Sequence, residues 1–309
     1  MNRLAGIVSA VLGLLITILG IIKIFPGLTV TGVMLIILGG LVIGLSFISK
    51  PDAEGSPRMS TPATLGNIFL SPGDVFKNLR RHPRWLVALL IMTILSATYS
   101  NLFLYRLGSD RVTNFAIDKT LEMPMISGNE EAKSSVEKGR PQALADNKNP
   151  IMKAGQTVSG FAWSVIGYTF LALIFLLFAM AMGGKLNFWQ AFSAAIYASF
   201  PVAVIRFVLN TIVLFIKDPT DVHPILGQQT LIQDNLSFLV KASESPVIFT
   251  LLGAFSLIAF YWVWMNAIGL KNTGENVTGT IGWSAAVGVY VLFILLGVAM
   301  AVLFPSFIS

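Results

Sequence analysis

Apolar runs of about 20 residues alternate with polar segments along this chain, and a helix needs about that length to cross roughly 30 Å of hydrocarbon. Seven runs are bounded by charges, prolines or glycine turns, at about Leu4–Ile22, Leu28–Ser49, Trp85–Tyr105, Phe161–Met182, Phe188–Ile216, Val247–Ile268 and Gly282–Phe304. They predict an all-α polytopic transmembrane bundle of about seven spans. Residues 1–49 read as a helical hairpin turning at Lys23-Ile-Phe-Pro-Gly27, since proline and glycine favour turns. No small-x-small cleavage site follows the first run, which therefore reads as an uncleaved anchor.

The polar intervals divide by composition. Residues 50–70, rich in Pro, Ser, Thr and Gly, read as a linker. Residues 71–84 predict a short helix with Ser71 as N-cap, Pro72 at its first position, Asp74 in the first turn and Arg80 and Arg81 near the end. Val75, Phe76 and Leu79 share one face of it, opposite Lys77, Asn78 and Arg81. Such a helix is expected in the membrane interface, with Lys77, Arg80, Arg81 and Arg84 toward anionic headgroups, each gaining about 1 kcal/mol. A solvated connector is the alternative. Within the polar loop 106–160, the stretch Asp110–Glu137 predicts a pair of helices broken at Pro124 and Gly128, and Leu231–Val240 predicts a short interfacial helix.

Composition strengthens the membrane reading. Of 309 residues, 55% are hydrophobic and 12% charged, against about 25% charged in soluble domains. The mean hydropathy is +0.76, so lipid must solvate much of the chain. With no cysteine and two histidines, His82 and His223, a Cys/His zinc site, an iron–sulfur cluster, a disulfide framework and a thiol nucleophile are all disfavoured. Lys50, Arg58, Lys77, Arg80, Arg81 and Arg84 outnumber Asp52, Glu54 and Asp74 between the second and third runs. The positive-inside rule then makes that segment and the amino terminus cytoplasmic. The loop 106–160 balances eight basic residues with seven acids and is long enough to translocate regardless of charge.

Candidate chemistry is sparse. No phosphate-binding loop, nucleophile elbow or His-Glu-x-x-His pair occurs, so no catalytic, cofactor or metal residue is assigned and the chain reads as a non-enzyme without a nucleic-acid partner. Arg206 is the one charge well inside a predicted span, and an intramembrane charge is a functional hypothesis by default. None of the runs contains an acid to pair with it. Its candidate partners are backbone carbonyls, Asn210, Asn266 or a lipid phosphate, and structural satisfaction, a bound anionic lipid or substrate, and membrane thinning or a partner contact all remain open. The missing acids disfavour ion-coupled transport and leave passive conduction open.

The stretch Asn67-Ile-Phe-Leu-Ser-Pro-Gly-Asp-Val-Phe-Lys-Asn-Leu-Arg-Arg-His-Pro-Arg-Trp85 resembles the opening of the prokaryotic branch of the YIP family, the Ypt/Rab-interacting proteins. Gly183-Gly-Lys-Leu-Asn-Phe-Trp-Gln-Ala-Phe192 with Pro201, Asn235-Leu236 and Trp264-Met-Asn-Ala-Ile-Gly-Leu270 resemble its later motifs. The resemblance implies a YIP-like domain over 71–309 with five spans, to which the hairpin 1–49 is an addition. Eukaryotic members bind small GTPases largely through a longer amino-terminal region, where this chain has only residues 51–84. The expected function is membrane organisation or scaffolding, with anionic lipids and a membrane protein or second copy as partners. A permease or channel for a small or anionic solute, with Arg206 in its path, is the alternative.

Overall fold

A computed structural model describes residues 2–22, scattered positions between 32 and 43, and residues 57–305. The hairpin turn at 23–27 and most of the expected second span lie outside the described residues. Helix α1, Asn2–Ile21, occupies the first apolar run. Among the described residues there is no strand, and four helices are long and apolar enough to cross a membrane, or five if one bent pair forms a single span.

Two corrections concern residues 51–84. Thr61–Leu70, expected within a linker, forms helix α2. Ser60 caps it by accepting the Ala63 amide N–H at 3.3 Å, proline stands in its first turn, and Thr64 and Ile68 are buried. Helix α3, Pro72–Arg81, begins at Ser71 as expected, but the Ser71 side chain makes no capping bond. The Ser71 carbonyl instead accepts the amides of Asp74 and Val75, while its own N–H donates to Asn67 of α2. One residue therefore ends α2 and starts α3.

Two compact units follow from the contacts. The first comprises Met1–Thr93, Ala154–Phe200 and Met265–Ala286. It includes α2, α3, the start of helix α4 (Leu86–Leu107) and parts of four helices introduced below. Its core holds Ile68, Phe76, Leu79, Phe175, Phe192, Ile196, Tyr197 and Met265 at under 2% exposure. Trp85 packs edge-on against Phe192 at 5.3 Å, and Phe188 stacks on Phe192 at 5.5 Å. Gly282 marks a close helix approach, since a Cβ there would lie 2.5 Å from the Ala267 carbonyl oxygen.

The second unit comprises Ile94–Lys153, Pro201–Trp264 and Val287–Ser309. The polar loop forms helices α5 (Ser109–Leu121), α6 (Pro124–Ser127) and α7 (Glu130–Asp146), with breaks near Pro124 and Gly128. Arg140 of α7 ties that helix to α5. It grips both Glu137 oxygens at 2.8 Å, Asp118 at 2.7 Å and the Asn114 amide oxygen at 3.0 Å. Beneath lies an apolar cluster of Tyr99, Phe103, Leu107, Val112, Leu214, Val222 and Leu231. The Tyr99 hydroxyl donates into it to the Gly227 carbonyl at 2.7 Å.

The long helices are α8 (Pro150–Ala181) and α9 (Phe188–Ile216), the latter one element with Pro201 inside it. A reciprocal cap starts α9: Asn187 accepts the Gln190 amide at 2.9 Å and Gln190 accepts the Asn187 amide at 3.0 Å. Leu231–Val240 is not the expected helix; it contains only the 3-10 turn Leu236–Leu239, after the short helix α10 (Leu226–Gln229). The expected span 247–268 falls on a bent helix pair. It divides into α11 (Pro246–Gly253) and α12 (Leu257–Thr273), bent by 51°. Helix α13, Gly279–Leu303, completes the described chain.

Candidate functional site

The α3 residues divide by face. Val75, Phe76 and Leu79 are fully buried, so the apolar face expected to meet lipid is covered by protein. Phe76 packs on Gly269, where a Cβ would stand 3.1 Å from two ring carbons. Lys77 and Arg81 are exposed, and Arg80 pairs with Glu275 at 3.5 Å. Lys77 also pairs with Asp74 at 3.3 Å, two-thirds exposed, which contributes little in water.

Arg84 departs from this group. It follows α3 rather than belonging to it, and its Nη2 points inward to donate to Thr64 Oγ1 at 2.5 Å and Asn78 Oδ1 at 3.2 Å. Asn78 in turn accepts the Met59 amide at 3.3 Å and donates to the Pro57 carbonyl at 3.1 Å. Burial pulls the Arg84 guanidinium below the usual arginine value; Tyr197 partly opposes this, and Arg58 adds to it. Arg84 is a clamp between α2 and α3.

In the second unit Arg206 lines a cavity of about 200 Å³ with Val202, Ala259, Trp262, Tyr290 and Phe293. Arg206 is an exposed residue and makes no hydrogen bond or ion pair among the described residues. Phe260 and Trp262 reach across to α13, packing on Tyr290 at 6.3 Å and Phe293 at 5.9 Å. The Tyr290 hydroxyl donates to the Ala254 carbonyl at the bend between α11 and α12. Asp234 caps that bend from a loop, accepting the Ser256 hydroxyl at 2.5 Å and the Ile258 amide at 2.9 Å.

Of the three intramembrane candidates, only Arg206 lines this cavity. Asn210, one turn further along α9, is buried, and its side-chain oxygen accepts the amides of Leu231 at 2.8 Å and Ile232 at 3.2 Å. Asn266 is buried in the first unit. Sequence reasoning missed Asp234 and Tyr290. Tyr290 carried a signal, as the one hydroxyl in the apolar run from Ala285 to Phe304. Asp234 carried none, because it lies in a loop and meets α12 only in three dimensions. Among the described residues no cluster of metal-ligating side chains occurs.

Together these features define an all-α, multi-pass integral membrane protein. The model of the Yip1 domain matches residues 66–303, and the chain belongs to the Yip1 family. No curated protein and no solved structure matches it.

Proposed function

We propose that this chain is a non-enzymatic membrane-organising protein. It offers a protein-anchored cationic face to anionic headgroups and to a membrane-protein partner or a second copy of itself. The supporting observation is α3: with Val75, Phe76 and Leu79 buried, Lys77 and Arg81 project outward from a docked helix. Basic residues held near a membrane surface attract anionic lipid by about 1 kcal/mol each. The basic excess between the second and third apolar runs, a segment that includes this helix, supports a cytoplasmic position for α3 and for the amino terminus. The motif at 67–85 supports the prokaryotic branch, and with it the cytoplasmic membrane.

The test is reconstitution into vesicles containing a labelled anionic lipid. Enrichment of that lipid around the protein is expected, with loss in Lys77→Glu/Arg81→Glu. Purification as a lone chain, together with solute flux abolished by Arg206→Ala, would sink the proposal.

A permease for a small or anionic solute is the second reading. It draws support from the bent helix pair beside Arg206, because broken helices hold the substrate sites of many transporters. Against it, the cavity of about 200 Å³ is smaller than ordinary ligand pockets of roughly 300–1,000 Å³, and Arg206 is its one charged lining residue.

A further inference from the structure

We propose that the Arg206 cavity holds the phosphate of an anionic phospholipid drawn from the surrounding bilayer. Three observations converge on this. Arg206 is a permanent cation inside the apolar helix α9, with no hydrogen bond or ion pair among the described residues. Asp234, which shares Tyr290 as an electrostatic neighbour with Arg206, commits its carboxylate to Ser256 and Ile258 and forms no ion pair with Arg206. The remaining walls, Val202, Ala259, Trp262, Tyr290 and Phe293, are aliphatic or aromatic and suit a glycerol backbone and the first acyl carbons.

Charge and shape select the ligand. One uncompensated guanidinium calls for one negative charge, and its planar fork matches phosphate oxygens in a bidentate way. The volume of about 200 Å³ accommodates a headgroup but not a whole lipid, as a cavity of about 150 Å³ holds benzene. The chains must leave by the open side, where Arg206 is exposed.

Depth is compatible with this source. Helix α9 has 29 residues, about 43 Å at 1.5 Å per residue, so it overhangs a hydrocarbon layer of roughly 30 Å. Arg206 lies ten residues before Ile216, which places its Cα within about 10 Å of the headgroup layer when the overhang is shared between the ends. An arginine side chain reaches outward over much of that distance.

The test is native mass spectrometry of the full chain released from nanodiscs made of anionic and zwitterionic phospholipids with identical acyl chains. One retained anionic lipid is expected, and Arg206→Gln should weaken its retention on the order of tenfold to a hundredfold, the equivalent of a lost charge-assisted hydrogen bond. Arg206→Lys should retain part of it. A second readout does not depend on those variants. Anionic lipid brominated near the headgroup should quench tryptophan emission, and Trp262→Phe should remove that increment. Equal retention of zwitterionic lipid, full retention by Arg206→Gln, or displacement of the lipid by inorganic phosphate alone would overturn the proposal.

Discussion

The Asp234 carboxylate accepts the Ser256 hydroxyl at 2.5 Å, and through this bond a loop acid caps the helix that restarts after the bend between α11 and α12. Ser256 Oγ in turn accepts the Ala259 amide at 3.1 Å, so the first turn of α12 has partners that a continuous span would not need. Asp234→Ala is expected to cost about 1–2 kcal/mol, as for other lost helix caps. Asp234→Asn should cost less, because its amide oxygen still accepts. Thermal unfolding in detergent, with hydrogen exchange over residues 254–262, reads both. Unchanged exchange in Asp234→Ala would show that the bend does not need the acid.

Phe76 and Gly269 form the contact that docks α3. Phe76→Ala should lose about 3–5 kcal/mol of first-unit stability, as for other buried phenylalanines. Gly269→Val should push into the ring and loosen the helix. Faster tryptic cleavage at Lys77, Arg80 and Arg81 is the expected sign. An unchanged digestion pattern in both variants would refute the docked arrangement.

Arg84 is distinguished from its basic neighbours by where it points. Arg84→Ala should cost about 1.5–3 kcal/mol, the range for hydrogen bonds from a charged donor, and should raise exchange across α2. Arg81→Ala, at an exposed position, should change neither. Equal effects of the two substitutions would argue against the clamp.

Asn210 leaves two loop amides without an acceptor when truncated. Asn210→Ala should cost about 1–3 kcal/mol, the usual penalty for buried groups left unpaired. Asn210→Asp should keep the loop 230–232 in place. Proteolysis within that loop distinguishes the two.

The polar helices should weaken in acid. Hydrogen bonding from Arg140 holds the Glu137 carboxyl below its ordinary value, and the Thr220 hydroxyl and amide do the same for Asp218, with Arg106 and Arg111 adding to the effect. A folded value below the unfolded one contributes stability that is complete above the unfolded value and lost as pH falls through the folded one. Protection against exchange, relative to the intrinsic rate at each pH, should therefore stay constant across α5–α7 and the 217–222 turn through neutral pH and fall only below the ordinary carboxylate range. Loss of protection near neutrality would contradict this.

Much of the fold was legible because membrane spans obey a local rule. The runs expected from Trp85, Phe188 and Gly282 met it, in helices that begin at Leu86, Phe188 and Gly279, as did the run from Phe161 inside α8, which begins earlier, at Pro150, because the polar end of that helix carries no apolar signal. The breaks near Pro124 and Gly128 were readable for the same reason, since proline and glycine act on their own backbone. Residues 61–70 misled because Ser60 and a first-turn proline are equally turn formers and helix starters. The choice between them falls to Ile68 and Thr64, whose burial needs α3 and Arg84.

Run length and composition were enough to establish a lipid-solvated, all-helical chain with one stranded cation, because hydrophobic transfer and backbone satisfaction depend on local sequence. Long-range contacts made the remaining choices: the burial of the α3 apolar face, the inward turn of Arg84, the commitment of Asn210 to a loop and the bend at Ala254–Ser256. Each depends on a partner at least six and in most cases about twenty or more residues away, such as Asp234 for Ser256 or Gly269 for Phe76. A hydrogen bond or ring contact across that separation exists only once the helices have packed.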